Sequence, residues 1–446
     1  MQPVQATPLN DMNARRASLF LISAALGLWV APAIASKESV LYRFNGGKDG
    51  AAPYASMIAD THGSLFGTTS LGGGSANCAS GCGTVFELSP HVDGSWSETV
   101  VHSFAGGSDG ATPQVPMIFD AAGNLYGSTS EGGDGDCGNI GIAGCGTVFE
   151  LSPPGKPGQA WTETVLYSFQ GVPGGKGNGD AAWPNGLVFA ANGDLYGLAY
   201  SGGYCRTDET GTDCYGAAFR LRQSSGGGWS EKVLYRFDGT TGSPVGPVLD
   251  RAGNIYGTAP GGAYGFGAVF RLQASGPGPG WVESSIYDFR GAGDGAFPLP
   301  GLLFDATGNL YSASWGPTSG FNNVFEVTPK GHGTWSESVL YNFKNVARGY
   351  IPEVAPILGP DGNFYGMTVE GGGSDRGAVY TLSPPQPAGK FWQERVLHSF
   401  AGGSDGFAPY GGLNFGKGGA LYGTTYVGGT TGCNGNGCGV VFKIKS

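Results

Sequence analysis

Hydrophobic residues along this chain come in short runs that are separated by glycine-rich polar turns. Residues 116–120 form one run, the turn at residues 121–124 reads Ala-Ala-Gly-Asn, and residues 125–129 form the next run. Val, Phe, Leu, Thr and Tyr dominate the runs, as is typical of β-strands. Glycine and asparagine tolerate the positive φ of a hairpin turn. No stretch after residue 35 keeps a helical period, so the pattern predicts an all-β protein.

The pattern of runs recurs along the chain as a repeat. The aromatic residue of its Gly-x-Leu-Tyr core returns every 54 to 70 residues, at Phe66, Tyr126, Tyr196, Tyr256, Tyr311, Tyr365 and Tyr422. A third run follows each core, as at residues 146–151, and a fourth run opens with Trp-x-Glu, as at residues 161–169. Four strands in each of seven repeats predict a seven-bladed β-propeller.

The two ends of the repeat region are incomplete in a complementary way. Residues 38–44 have the sequence of a fourth strand with no blade before it, and residues 439–444 that of a third strand with no fourth behind it. Pairing of the two would complete the seventh blade, close the ring and leave no open sheet edge. We therefore expect a single propeller domain over residues 36–446.

Residues 1–35 have the features of a secretory signal peptide. Arg15 and Arg16 provide a positive flank, residues 19–30 an apolar run, and residues 33–35 a small-residue cleavage site. The apolar run is short for a membrane span, although an uncleaved anchor is the alternative interpretation. The leader predicts a secreted, periplasmic or cell-surface protein with no membrane span after cleavage.

The charge balance narrows the range of partners. The formal net charge is −10, and removal of the leader with Asp11, Arg15 and Arg16 makes it −11. Such a chain offers no basic face for phosphates, so we expect no nucleic-acid partner. We also expect a monomer.

The eight cysteines fall into four local pairs between the second and third strands of their repeats. The pairs are Cys78 with Cys82, Cys137 with Cys145, Cys205 with Cys214, and Cys433 with Cys438. An export signal favours disulfide bonds. Metal binding is the alternative, but the spacings vary and no histidine lies nearby in the sequence.

Several short motifs recur in a fixed order: Val-Leu-Tyr-x-Phe, Gly-Gly-x-Asp-Gly, Gly-Asn-Leu-Tyr-Gly-Thr-Thr and Gly-Thr-Val-Phe-x-Leu. In this combination the chain resembles the GloVer (Gloeo/Verruco) tandem repeat of exported bacterial proteins, over nearly all of its length after the leader. The resemblance implies an exported or surface protein, and it carries no catalytic residue over to this chain.

The Gly-Gly-x-Asp-Gly motif places an aspartate in most connections between blades. These residues are Asp49, Asp109, Asp294 and Asp405, with Asp180 in a looser version of the motif. One interpretation is that each carboxylate caps its own turn. The other is a ring of carboxylates near the channel that binds Ca²⁺ as a cofactor. The first is favoured, because a residue repeated in most blades usually serves the blade.

Residues that depart from the repeat are better candidates for a ligand site. The candidates are Trp183, Tyr200, Tyr204, Arg206, Tyr215, Tyr264 and Trp315, with Asp208, Asp213, Phe266 and Phe321 in the same loops. Aromatic side chains can stack on sugar rings or anchor a protein partner. The alternative is that they fill gaps between neighbouring loops.

No catalytic constellation emerges from the repeated polar residues. The Trp-x-Glu glutamates should lie around the rim, too far apart for the roughly 5 to 10 Å spacing of a glycosidase pair. His102 and His398 replace the tyrosine of the fourth strand and are interpreted as packing residues.

We therefore expect an exported binding or interaction module whose loop face takes a glycan or a surface protein. A channel-mouth enzyme, such as a polysaccharide lyase or a lactonase, and a structural cell-surface or adhesion component are the alternatives.

Overall fold

The computed structural model describes residues 37–137, 144–156, 159–208, 211–276, 280–291, 293–316, 322–386 and 391–445. The predictions for leader residues 1–35, for Phe321 and for the side chain of Asp208 lie outside this description.

Seven antiparallel sheets of four main strands are arranged as blades in a ring, which confirms the seven-bladed β-propeller. The inner strands are Ile58–Ala59, Ile118–Phe119, Gly177–Phe189, Val245–Leu249, Leu303–Phe304, Ile357–Leu358 and Asn414–Phe415. The second strands are Leu65–Thr69, Leu125–Thr129, Leu195–Asp208, Ile255–Ala259, Leu310–Ser314, Phe364–Thr368 and Leu421–Thr425. The third strands are Thr84–Pro90, Thr147–Ser152, Ala217–Gln223, Ala268–Ala274, Asn323–Gly331, Ala378–Ser383 and Val440–Lys445. The outer strands are Trp96–Ser103, Thr162–Ser168, Trp229–Arg236, Trp281–Asp288, Thr334–Asn342, Gln393–Ser399 and Lys37–Arg43.

A few short elements supplement the blades. The third blade has an extra strand, Gly211–Cys214, which pairs with Leu195–Asp208. Single 3₁₀ turns lie at Gly107–Asp109, Pro173–Gly175, Gly403–Asp405 and Lys417–Gly419.

Both ends of the described chain contribute to the seventh sheet. Lys37–Arg43 pairs antiparallel with Val440–Lys445, so that Lys37 lies opposite Lys445 and Arg43 lies opposite Val440. The outer strand of this blade therefore comes from the start of the chain and its other three strands from the end.

The repeated tryptophan packs one blade against the blade before it. The ring of Trp335 lies 6.3 Å from that of Tyr256 in the preceding blade. The same contact joins the first and seventh blades, where Trp96 lies 5.9 Å from Tyr422. The tryptophan and the core tyrosine of the repeat are thus the two halves of one contact between blades.

The glycine of the Leu-Tyr-Gly motif makes room for a buried phenylalanine of the third strand. Phe149 is fully buried, and a Cβ atom on Gly127 would lie only 2.5 Å from the Phe149 ring. The motif therefore requires glycine here for close approach rather than for an unusual φ.

The hairpin between the inner and second strands is held by an aspartate. Asp120 Oδ1 accepts hydrogen bonds from the backbone N–H groups of Ala122 and Asn124, at 2.8 and 2.9 Å. Its other oxygen accepts from the Asn124 side chain at 2.8 Å. These local bonds explain why the turn sequence could be recognised in the chain alone.

The structure contains the four predicted disulfide bonds, each within one loop. We expect the double variant Cys205→Ser, Cys214→Ser to lose about 2 to 3 kcal/mol of unfolding free energy, because a crosslinked loop of about ten residues restricts the unfolded chain. Denaturant unfolding measures this loss. Peptide mapping without reductant is the control, and a cross-blade pairing or unchanged stability would reject the prediction.

Candidate binding site at the mouth of the central channel

Each blade has a proline shortly before its inner strand or, in the third blade, within it. These are Pro53, Pro113, Pro184, Pro244, Pro298, Pro352 and Pro409. The residue that follows each proline lines a cavity at one end of the central channel. We call these residues the mouth ring, and they are Tyr54, Gln114, Asn185, Val245, Leu299, Glu353 and Tyr410.

Three cavities meet at the mouth ring. A central cavity of about 440 Å³ is lined by residues from all seven blades, among them Leu187, Leu302 and Leu413. Two smaller cavities, of about 360 and 200 Å³, share the mouth-ring residue Val245 and the neighbouring Tyr200. The larger two are in the size range of small-molecule sites, roughly 300 to 1,000 Å³.

One side of the mouth carries a cluster of three tyrosines. Tyr54 and Tyr410 stack with ring centroids 5.5 Å apart. Tyr426 packs edge-on against both rings, at 6.1 Å from Tyr54 and 5.5 Å from Tyr410. Tyr54 remains 36% exposed, so part of the cluster is open to a ligand.

Two further aromatic pairs line the mouth. Trp183 lies 5.4 Å from Tyr200, and Phe297 lies 6.1 Å from Trp315. Tyr200 is 40% exposed and Trp315 is 38% exposed. Aromatic faces therefore surround much of the opening.

Trp183 and Phe297 have an unusual backbone conformation. Both precede a proline and have positive φ, at 56° and 46°. The Trp183 N–H donates to the carbonyl of Cys145 in the preceding blade at 3.0 Å, and the Phe297 N–H donates to that of Phe266 at 2.6 Å. Bonds between blades thus hold these two aromatic residues in a strained conformation at the mouth.

The polar groups of the mouth lie between the aromatic clusters. Gln114 and Asn185 line two of the cavities, and Glu353 lines the central cavity and the 360 Å³ one. Burial and, secondarily, the charge of Glu370 raise the pKa of Glu353 to about 7. The mouth therefore offers amide donors and acceptors together with one carboxyl group that changes charge near neutral pH.

Within the described residues, no helix is long and apolar enough to cross a membrane.

The model of the Gloeobacter/Verrucomicrobia repeat matches residues 30–206, 141–354 and 313–446. The chain belongs to the Gloeobacter/Verrucomicrobia repeat family. No curated protein matches its sequence significantly.

Solved propellers resemble this Gloeobacter/Verrucomicrobia repeat protein only distantly. A gluconolactonase from Xanthomonas campestris is 14% identical, with 73% of this chain and 82% of that chain covered and a TM-score of 0.39. An ulvan lyase, a polysaccharide lyase, is 11% identical, with 88% and 90% covered and a TM-score of 0.42.

The structure divides the ligand candidates of this repeat protein into two groups. Trp183, Tyr200 and Trp315 come together at the mouth. The other four, Tyr204, Arg206, Tyr215 and Tyr264, line none of the three cavities described above.

Two of the remaining candidates, Tyr204 and Arg206, lie in the long strand Leu195–Asp208, whereas Tyr215 and Tyr264 lie in connections between strands. Tyr204 and Tyr215 stack on each other at 6.3 Å, and a Cβ atom on Gly239 would meet the Tyr215 ring at 2.6 Å. Arg206 lies opposite Asp213 in the register of the extra hairpin. The Tyr264 ring lies 5.6 Å from the guanidinium carbon of Arg290.

Sequence reasoning missed the mouth-ring residues Tyr54, Tyr410 and Glu353, together with Tyr426. The sequence did contain a signal for the three mouth-ring residues. The residue after the repeated proline varies from blade to blade, whereas the proline itself does not.

The loop aspartates lie beside the outer strands and line none of the three mouth cavities. Asp49 accepts from Tyr42 Oη and Asn45 N, at 3.0 and 2.9 Å. Asp294 accepts from Tyr287 Oη and Arg290 N, at 2.8 and 3.0 Å.

The remaining three aspartates follow the same pattern. Asp109 accepts from Ala105 N, Asp180 from Gln170 N and Asp405 from Ala401 N. These bonds support the turn-capping interpretation for the motif.

Proposed function

We propose that this protein binds an uncharged oligosaccharide at the channel mouth. The observation that carries the proposal is the set of partly exposed aromatic faces around one cavity, with hydrogen-bonding groups between them. The apolar C–H face of a sugar ring packs on the electron-rich face of an aromatic ring. Its hydroxyl groups need donors and acceptors at the edges, and Gln114, Asn185 and Glu353 offer both.

Charge favours a neutral sugar over an acidic one. The chain carries a formal net charge of −10, and the charge of Glu370 acts on Glu353 at the mouth. A carboxylated or sulfated sugar at this mouth would meet repulsion from both carboxyl groups.

The rigidity of the mouth supports binding. Trp183 and Phe297 are held by backbone bonds to the preceding blade, and the three tyrosines pack on one another. Side chains that are already ordered lose little entropy when a ligand arrives.

Two single variants test the site. We expect Tyr200→Ala and Trp315→Ala each to weaken sugar binding at least about tenfold, because each removes an exposed stacking face. The melting temperature should stay nearly unchanged, since both side chains are more than a third exposed. Trp183→Ala is less suitable, because Trp183 also packs against a buried cluster and its loss would destabilise the blade.

A glycan array on the purified protein would supply the ligand, and calorimetry with the best neutral oligosaccharide would give the affinities. Phe391→Ala is the matched control, because Phe391 is 75% exposed but precedes the outer strand Gln393–Ser399, on the face opposite the mouth. Absence of glycan binding, or equal binding by all three variants, would reject the proposal. If the wild type instead binds a protein partner that Tyr200→Ala and Trp315→Ala no longer bind, the mouth is a protein-binding site and the sugar proposal is rejected.

A further inference from the structure

Each interface between neighbouring blades contains a glutamate from the outer strand of one blade. It also contains a tyrosine or histidine from the outer strand of the blade before it. We call this part of each interface a seam. In the seam between the seventh and first blades, Tyr42 donates to Asp49 and Glu98 lies beside both. The seam between the fourth and fifth blades repeats this arrangement with Tyr287, Asp294 and Glu337.

Tyrosine occupies the aromatic position in five seams, as Tyr42, Tyr167, Tyr235, Tyr287 and Tyr341. In each of these its hydroxyl donates to a carboxylate of the same seam. The phenol therefore satisfies one acidic group and fills the space between the two blades.

The seam between the sixth and seventh blades has a different composition. His398 replaces the tyrosine, Asp405 comes from the connecting loop, and Glu38 comes from the N-terminal strand. His398 Nε2 lies 3.1 Å from Asp405 Oδ1. One donor atom from each of the three residues lies within 4.8 Å of the other two.

This arrangement leaves an acceptor without a donor. An imidazole Nε2–H can donate to one carboxylate only, and here it faces Asp405. Glu38 Oε1 is buried and has no hydrogen-bond partner among the residues that the structure describes, as is also true of the outer-strand glutamates of five other seams. What distinguishes this seam among the described residues is that an imidazole nitrogen and two carboxylate oxygens lie together within 4.8 Å. A buried carboxylate oxygen without a donor is unfavourable, and a cation between the three residues would relieve it.

We propose that Glu38, His398 and Asp405 form a binding site for a divalent transition-metal ion, and we take Zn²⁺ as its probe. One imidazole nitrogen and two carboxylate oxygens make a donor set that suits Zn²⁺. Ca²⁺ and Mg²⁺ bind more weakly here, because they prefer sites built from oxygen alone. His398 and Asp405 side chains are each 20% exposed, which leaves access for the ion and for a water as fourth ligand.

The ion would join distant parts of the chain. Glu38 belongs to Lys37–Arg43, whereas His398 and Asp405 belong to the sixth blade and to the loop that leaves it. Zn²⁺ therefore ties the N-terminal strand to the sixth blade and stabilises the folded state by mass action.

His398→Tyr is the decisive variant, because tyrosine is the residue that five other seams accommodate. Zn²⁺ is titrated by calorimetry into purified, metal-free protein that carries no histidine tag. We expect one ion per chain in the wild type, a rise in melting temperature with Zn²⁺, and the loss of both in His398→Tyr. Ca²⁺ should produce neither effect.

His102→Tyr is the matched control. His102 and Asp109 form a related pair, with Nε2 3.3 Å from Oδ1, in the seam between the first and second blades. Only the Glu38 group brings three donor atoms within 4.8 Å of one another among the described residues. His102→Tyr should therefore still bind one Zn²⁺ ion at Glu38, His398 and Asp405. The inference is overturned if the wild type binds no Zn²⁺, if His398→Tyr still binds it, or if His102→Tyr abolishes binding equally. Sugar binding at the mouth is independent of all three outcomes.

Discussion

A chain that lacks residues 36–44 will aggregate instead of yielding a folded monomer. The deletion removes Lys37–Arg43 and exposes the backbone edge of Val440–Lys445 along its full length. It also removes Phe44, which is fully buried and packs with Phe86 of the first blade at 5.1 Å. An exposed hydrophobic strand edge pairs readily with other chains. Size-exclusion chromatography and light scattering measure the outcome.

A circular permutant separates loss of the strand from loss of the N-terminal position. In it the chain begins at residue 45, and residues 37–44 follow Lys445 after a copy of the turn at residues 91–95. This join matches the register, because Lys37 lies opposite Lys445 as Trp96 lies opposite Pro90. We expect the permutant to be a monomer with nearly wild-type melting temperature. A chain lacking only residues 1–35 is the control, and a monomeric deletion or an aggregating permutant would show that this pairing does not close the ring.

The melting temperature will fall as the pH rises from 5 to 8.5, by roughly 5 °C. Four seam glutamates carry the effect: the pKa is raised to about 7 for Glu98, Glu163 and Glu337 and to about 8 for Glu231. Burial is the main cause, and the charge of the seam aspartate adds to it for Glu98, Glu231 and Glu337.

The sign of this pH dependence follows from which state of the chain, folded or unfolded, binds the proton more tightly. These carboxyl groups hold a proton to higher pH in the folded chain than in the unfolded chain. Their stabilisation is therefore complete below about pH 4.5, the ordinary glutamate value, and is lost as the pH rises through 7 to 8. The groups are partly exposed, so solvent screening keeps the effect well below the full value of the pKa shifts.

Two aspartates act in the opposite direction at lower pH. Burial raises the pKa of Asp109 and Asp405, but the neighbouring imidazoles of His102 and His398 and bonds from backbone N–H groups outweigh it, so that both pKa values lie below the usual range. Their contribution is present above about pH 3.8 and is lost as the pH falls further. The melting temperature should therefore be highest between about pH 3.8 and about pH 4.5.

Glutamine variants are the control for this pH dependence. The quadruple variant Glu98→Gln, Glu163→Gln, Glu231→Gln, Glu337→Gln keeps the size of the side chains and removes their titration. Its melting temperature should fall much less than that of the wild type between pH 5 and 8.5, as followed by circular dichroism. The remaining slope comes from Glu353, whose pKa is also raised to about 7. A wild-type melting temperature that rises with pH, or a variant with an unchanged slope, would contradict the assignment.

Local sequence was a good guide wherever the determining contacts are local. Asp120 bonds to residues two and four positions away, and Cys78 pairs with Cys82 only four residues on. Such features need nothing beyond the chain's own neighbourhood, which is why the turns and the disulfide pairs could be predicted.

The candidate site was only partly predictable. Trp183, Tyr200 and Trp315 stood out because they depart from the repeat, and all three line the mouth. Tyr54 and Glu353 were missed because each looks unremarkable within its own blade. They become neighbours of other aromatic and polar residues only where the blades converge around the axis.

By itself, then, the sequence determined the seven four-stranded units, their turns and their disulfides, since strand periodicity and short-range bonds act within one repeat. The tertiary structure decided which residues meet across repeats. It brings Glu38 beside Asp405 and Tyr54 onto Tyr410, pairs that lie more than 300 residues apart in the chain. The physical reason is that the angular placement of blades around the axis, which no single repeat encodes, sets these distances.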